Sequence, residues 1–170
     1  RLDKKGRVQI IGDVEEFART YRILNRDCIA ANINVRVNTL SETIVKGKKA
    51  GDVIATAVFY RIYYKPLFTT KSAFDFENPG SAEDLGYILA KEEVIKGKVG
   101  YGYIRSTRVN FTSTINYTSL ANFLGWEVKI FRTTPDSQQG ILRNQTYLDS
   151  ITEIYGSTFA YPNSAIISQK

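Results

Sequence analysis

The chain has 170 residues, of which 43% are hydrophobic and 24% are charged, and its formal net charge is +6. These proportions are typical of a globular domain that buries a core, and they exclude wholesale disorder. The longest apolar run covers residues 53–64 and is interrupted by Thr56 and Arg61, so we expect no insertion into a membrane.

Strands dominate the first part of the chain, because apolar and polar residues alternate there with a period of two. Residues 17–23 are the first candidate strand, and a turn at Asn25-Arg26-Asp27 ends it. The clearest strand covers residues 29–38. Its predicted buried face consists of Ile29, Ala31, Ile33, Val35 and Val37. The single cysteine, Cys28, lies just before this strand, where we expect a small buried thiol.

A longer strand is predicted over residues 53–64, after an exposed hairpin tip at residues 46–52. Its predicted buried side consists of Ile54, Val58, Tyr60, Ile62 and Tyr64. Residues 66–86 then break the pattern, and such long loops are uncommon in compact domains unless they are functional or disordered.

Two interpretations of the 66–86 loop remain open. It either folds back onto the domain through its own aromatic side chains, or forms an acidic, aromatic protrusion that docks on a partner. For the second interpretation, the candidate partner-binding residues are Phe68, Phe74, Phe76, Glu83 and Asp84.

Further strands are predicted at residues 86–95 and 98–111, with a turn at residues 96–98. Thr118 is a possible N-cap for a short helix over residues 119–124, which Gly125 would end. Residues 126–132 alternate as a half-buried strand, and residues 148–155 form another.

Together these elements predict an all-β fold, an antiparallel β-sandwich of about seven to nine strands with one short helix and one long inserted loop. We expect residues 1–26 to form N-terminal strands or a connection. Residues 27–170 then form the sandwich domain, with residues 66–86 as its loop insertion.

Missing residue types restrict the chemistry of the chain. It contains no histidine, which removes the commonest general base and every triad that includes one. One cysteine cannot form a structural zinc site, and the carboxylate pairs at 15–16, 83–84 and 92–93 are adjacent in sequence, so on a strand they point to opposite faces. We therefore expect no enzymatic activity, no cofactor and no metal. The chain also has no methionine, from which we expect a fragment of a longer polypeptide.

Basic residues are concentrated between positions 94 and 133, with six basic side chains against one acidic. They include Arg105, Arg108, Lys129 and Arg132, which are spread through alternating strands. We favour a solvated sheet face that protects strand edges from pairing. Nucleic-acid binding by this region is the alternative, although we do not expect it.

Five short motifs follow one another in the last third of the chain. They are the strand 126–132, the tripeptide Thr134-Pro135-Asp136, the stretch 142–146, the step Thr152-Glu153-Ile154, and Tyr161-Pro162-Asn163. In this order and at these separations they resemble the tip attachment protein J family of lambda-like siphophages, also called host specificity protein or central tail tip hub. Weaker similarity extends upstream through residues 95–98 and 33–37. The motif residues with expected structural roles are Trp126, Thr134, Pro135, Asp136, Thr152, Glu153, Tyr161, Pro162 and Asn163.

The resemblance implies a hub insertion-type domain of the phage tail tip, made in the host cytoplasm and built into the virion. It implies contacts with other tail tip proteins and with copies of the chain in a homotrimer, and a role in host attachment. The host receptor is then bound by other parts of the full-length chain. The alternative is a carbohydrate-binding β-sandwich module, in which Trp126 or tyrosines such as those in 60–64 and 101–103 stack on sugars.

Overall fold

The computed structural model describes residues 8–10, 18–68, 86–111, 123–135 and 140–156. Within these ranges the chain forms eleven strands and no helix. The strands are β1 Val8–Ile10, β2 Arg19–Ile23, β3 Cys28–Val37, β4 Ser41–Thr43, β5 Val53–Ile54, β6 Thr56–Phe68, β7 Ile88–Gly97, β8 Tyr103–Asn110, β9 Phe123–Arg132, β10 Leu142–Arg143 and β11 Thr146–Tyr155. No helix in the described part of the chain is long and apolar enough to cross a membrane.

All the strands pair antiparallel, in three sheets. Sheet 1 has the order β1-β11-β3-β8, sheet 2 has the order β2-β9-β6-β7, and a small sheet has the order β10-β4-β5. Buried side chains of sheets 1 and 2 belong to one hydrophobic cluster, so these two sheets are the layers of a sandwich. Strands β1 and β2 pair with β11 and β9, so residues from the predicted N-terminal connection contribute to both layers.

The core follows from the alternation seen in the sequence. Its residues on β3, β6 and β9 include Ile33, Val35, Val37, Val58, Tyr60, Ile62, Tyr64, Trp126, Val128 and Ile130. Burying each large aliphatic side chain contributes roughly 1.5–3 kcal/mol before chain entropy is counted. The predicted buried faces of residues 31–37 and 58–64 are confirmed.

Two members of those predicted faces are exposed. Ile29 is 48% exposed, because Ala30 pairs with Ile154 while Cys28 pairs with Tyr155, which leaves Ile29 in a bulge without a partner on β11. Ile54 is exposed because it lies in β5 of the small sheet and not in β6. Their predicted burial is wrong.

The all-β antiparallel class is confirmed, with differences in detail. The described residues form eleven strands instead of seven to nine, and four of these strands have only two or three residues. Most of the predicted helix lies outside the described residues, but Phe123 and Leu124 begin β9, so its predicted C-terminal end is wrong. Strand β6 extends to Phe68, which shortens the predicted loop at its start.

The turn after β7 connects the two layers. Residues 98–102 carry the chain from β7 in sheet 2 to β8 in sheet 1, so the two strands do not form a ladder with each other. Both are edge strands within the described part of the chain, and they lie on the same side of the sandwich. We call this side the open side.

Candidate interaction surfaces

Trp126 of the predicted family motif lies in the core, where it connects the two layers. It is 3% exposed, and its ring stacks on Phe111 with the centroids 5.0 Å apart. Its Nε1 donates a hydrogen bond of 3.0 Å to the carbonyl oxygen of Cys28 on the opposite sheet. Cys28 itself is buried, as predicted.

The turn after β9 contains Thr134 and Pro135. The hydroxyl of Thr134 accepts a 2.7 Å hydrogen bond from a backbone N–H of β6. The carbonyl oxygen of Pro135 accepts hydrogen bonds from Arg132 at 3.2 Å and from Asn144 at 3.1 Å. Arg132 is fully buried and also donates to the carbonyl oxygen of Ile10, at 3.4 Å. The turn therefore fixes β1, β9 and the start of β11 relative to one another.

Two further motif residues lie on β11. Thr152 is exposed, and the carboxylate of Glu153 accepts hydrogen bonds from Tyr21 at 3.3 Å and from Tyr155. Because Tyr21 belongs to β2, Glu153 links sheet 1 to sheet 2 at the surface. The remaining motif residues, Asp136, Tyr161, Pro162 and Asn163, lie outside the described residues.

The candidate partner-binding residues are only partly described. Phe68 is the last residue of β6 and packs against the core, with its ring 6.0 Å from that of Phe123. It is therefore not at the tip of a protrusion. Phe74, Phe76, Glu83 and Asp84 lie outside the described residues.

The outer face of sheet 2 carries a buried carboxylate, Glu127, which is 6% exposed. Its Oε1 atom accepts a 2.5 Å hydrogen bond from the hydroxyl of Tyr87. Its Oε2 atom accepts a 2.8 Å hydrogen bond from Nε of Arg22, with which it forms an ion pair. The Nζ atom of Lys65 lies 3.5 Å from Oε1 of Glu127. We call these four residues the Glu127 cluster.

Lys129 lies beside this cluster and is 5% exposed. Its Nζ atom is 4.6 Å from the ring centre of Tyr87 and 5.5 Å from that of Tyr63, which is the geometry of a cation–π contact. A half-buried strand at 126–132 would expose its polar face to solvent. This prediction is wrong, because Glu127 and Lys129 on that face are both buried. The cluster could not be recognised in the sequence, because its members come from four separate segments. The available signal for it was the Glu-x-Lys spacing on β9.

The pKa of Glu127 reflects two opposing effects. Burial raises it, but the hydrogen bonds from Tyr87 and Arg22 and the charge of Lys65 outweigh burial and hold the pKa below its ordinary value of 4.5. A carboxylate with a lowered pKa stabilises the fold at pH values above its unfolded-state pKa. That contribution is lost as the pH falls through the folded-state pKa.

Replacing Glu127 with Gln is therefore expected to change the pH dependence of stability. The wild-type chain should exceed Glu127→Gln in free energy of unfolding by a constant amount near neutral pH, and the difference should shrink as the pH falls below about 4.5. Urea denaturation at a series of pH values measures it. Glu42→Gln, at an exposed carboxylate on β4, is the matched control. A difference that stays constant down to strongly acid pH would contradict the assignment.

Glu93 connects the two edge strands of the open side. This residue pairs with Tyr60 across the β6–β7 ladder and faces the gap between the layers. Its carboxylate lies 3.1 Å from Arg105 of β8 and accepts a 3.2 Å hydrogen bond from Thr107. The ion pair therefore joins the edge of sheet 2 to the edge of sheet 1.

Next to this ion pair, a cleft of about 240 Å³ lies between the two edges. It is formed by residues 89–91 of β7, residues 108–110 of β8 and the side chain of Tyr64. Small-molecule sites usually occupy about 300–1,000 Å³, so this cleft suits one or two side chains. The described residues hold no group of three or more acidic or cysteine side chains placed to bind a metal ion.

The structure bears on both alternative functions. The rings of Tyr60, Tyr63, Tyr64 and Trp126 are buried, so of the proposed sugar-stacking residues Tyr101 and Tyr103 remain exposed, Tyr101 at 90%. Of the four basic residues named in the sequence, Arg105 and Arg108 are exposed on β8, whereas Lys129 and Arg132 are buried. The predicted solvated basic face is wrong for the latter two.

Two antiparallel sheets around one core are the architecture shared by immunoglobulin-like and fibronectin type III domains. A family model described as the FNIII-A domain of tip attachment protein J matches residues 15–157, which include every strand from β2 to β11. The chain belongs to this family. It is therefore a structural module of a phage tail tip and a component of the virion. None of the curated proteins searched matches the chain.

Proposed function

We propose that the chain is a non-catalytic scaffold module of the tail tip hub. In this role it holds neighbouring tail tip proteins, and copies of itself in a homotrimer, in fixed positions during assembly and host attachment. Receptor recognition falls to other parts of the full-length protein. The match to the FNIII-A domain family over residues 15–157 carries this proposal.

The fold offers physical support for a scaffold role. A rigid module transmits position only if its layers cannot slide, and here Trp126, Arg132 and Glu93 each make contacts that join separate strands or layers. The open side also presents two long edge strands, β7 with ten residues and β8 with eight. Unpaired edges of this length are surfaces that other polypeptides can extend by backbone pairing.

Labelling and cross-linking of purified phage particles test this function. An antibody raised against the domain is expected to label the tail apex in electron micrographs and to slow adsorption to host cells. Cross-links from exposed lysines such as Lys96 and Lys98 are expected to reach other tail tip proteins or another copy of the domain. Labelling elsewhere on the particle, or absence of the domain from particles, would contradict the proposal.

A further inference from the structure

We propose that the open side is a docking site for an extended acidic segment of a neighbouring polypeptide, which pairs with the edge of β8 that no described strand occupies, beside the cleft. This inference deepens the proposed scaffold function and rests on it for its setting. Its evidence comes from three features of the described residues: the regularity of one edge, the positive charges on either side of that edge, and the lining of the cleft.

The first feature is the difference between the two edges. Strand β8 pairs with β3 through eight consecutive residue pairs without a shift in register. Strand β7 is interrupted at the cleft, because Ile62 pairs with Lys91 and Tyr63 pairs with Leu89, which leaves Ala90 in a bulge. A bulge disrupts the pattern of backbone donors and acceptors that an added strand needs. The edge of β8 is therefore the better template.

The second feature is the positive charge of Lys91 and Arg108. Lys91 pairs with Ile62, whose side chain is buried in the core, so Lys91 faces the gap between the layers. On β8, Val109 pairs with the buried Ala31, so the adjacent Arg108 lies on the outer face of sheet 1. There it donates to Asn110 on its own strand, at 3.0 Å. Neither residue forms an ion pair with a carboxylate of the described residues. By contrast, the neighbouring Arg105 is neutralised by Glu93.

The third feature is the cleft itself, which lies between the edge of β8 and Lys91 of β7. Its lining includes Val109 and Tyr64, which are nearly fully buried. Leu89 is 44% exposed and pairs with Tyr63, on the outer face of sheet 2. Because side chains alternate along a strand, a segment paired with β8 places one residue beside Arg108 and the next beside Val109. The pattern that fits is a carboxylate beside the arginine and an apolar side chain directed into the cleft. The site thus selects an extended segment in which acidic and apolar residues alternate.

A peptide titration tests this inference on the folded chain. The probe is an eight-residue peptide of alternating Glu and Val with capped ends, which matches the length of β8. We expect it to shift the backbone amide NMR signals of β8 and of residues 89–91, and to bind more weakly at high salt. A peptide of alternating Lys and Val is expected not to bind.

Charge reversal tests whether Lys91 and Arg108 attract the acidic peptide. The double variant Lys91→Glu/Arg108→Glu is expected to weaken binding of the acidic peptide about tenfold. Lys48→Glu, which makes the same kind of charge change at the exposed hairpin tip, is expected to leave binding unchanged. Amide spectra of each variant without peptide establish that the fold is intact.

Three results would overturn the inference: equal binding of both peptides, unchanged affinity in the double variant, or signal shifts confined to other strands. Self-association of Lys91→Leu without binding of the acidic peptide would assign Lys91 to protection of the edge instead. The titration uses the chain alone, so its failure is distinguishable from failure of the scaffold function, which the labelling of phage particles measures.

Discussion

Trp126→Ala is expected to lower the free energy of unfolding by about 3–5 kcal/mol, the range for removing a large buried aromatic side chain. The ring of Trp126 stacks on Phe111 and meets Tyr64 and Phe123 edge-on, at 5.7 Å and 5.3 Å between centroids. Its removal leaves a cavity between the layers and an unsatisfied carbonyl at Cys28. Urea denaturation followed by far-ultraviolet circular dichroism measures the loss.

Two control variants separate the contributions of Trp126. Trp126→Phe keeps an aromatic ring but removes the Nε1 donor, and we expect a loss of about 1–3 kcal/mol. Tyr101→Ala removes a ring that is 90% exposed, and we expect a change within about 0.5 kcal/mol. Equal effects of Trp126→Ala and Tyr101→Ala would show that the indole does not join the layers.

Gly125→Ala is expected to lower the free energy of unfolding by about 3 kcal/mol or more. Gly125 has φ +145°, a conformation that residues with a Cβ atom rarely adopt. An added Cβ would also overlap the carbonyl oxygen of Ile23 and lie 3.2 Å from the backbone nitrogen of Asn25. These are backbone atoms at the end of β2, so the clash is relieved only if β2 moves away from β9.

Hydrogen exchange locates the damage from Gly125→Ala. Faster exchange is expected first at the amides of β2, whose pairing with β9 runs from Arg19 to Ile23. Gly140→Ala is the matched control, because an added Cβ there meets nothing within 4 Å and the backbone does not have the positive φ of Gly125. Equal stability of the two variants would contradict the close approach at Gly125.

Much of the fold could be predicted from the sequence, because the alternation of apolar and polar residues indicates which side chains are buried. The faces 31–37 and 58–64 were identified in this way, as was the turn at Asn25-Arg26-Asp27, where the N–H of Asp27 donates to the side chain of Asn25 at 2.9 Å. Turn chemistry and periodicity are properties of neighbouring residues, so they can be recognised from the chain alone. The all-β class follows from many such segments.

Prediction failed where long-range pairing decided the outcome. Ile29 has the right spacing for the core, but a bulge opposite β11 turns it outwards. Glu127 and Lys129 have the spacing of solvent-facing residues, yet Arg22, Lys65 and Tyr87 supply charges and rings that let them be buried. A buried charge needs partners, and the sequence does not show which distant residues become neighbours.

The open side was also invisible in the sequence. The sequence suggests a simple turn at residues 96–98, but residues 98–102 join opposite layers, so β7 and β8 become two edges and the cleft forms between them. Which strand is an edge depends on the order of strands in each sheet, which the alternation pattern does not encode. The same pattern is compatible with either a central or an edge strand.

By itself, the sequence determined that this protein is an all-β domain with a core of alternating aliphatic and aromatic residues, and its motifs indicated the tail tip family. Only the tertiary structure decided the positions of its charges: Glu127 and Lys129 are buried on the outer face of sheet 2, Glu93 joins the two layers, and Lys91 and Arg108 lie beside the cleft. The physical reason is the separation along the chain of the residues that determine each property. Burial of apolar residues leaves a local, periodic record along the chain, whereas the environment of a charge depends on which distant strands become its neighbours.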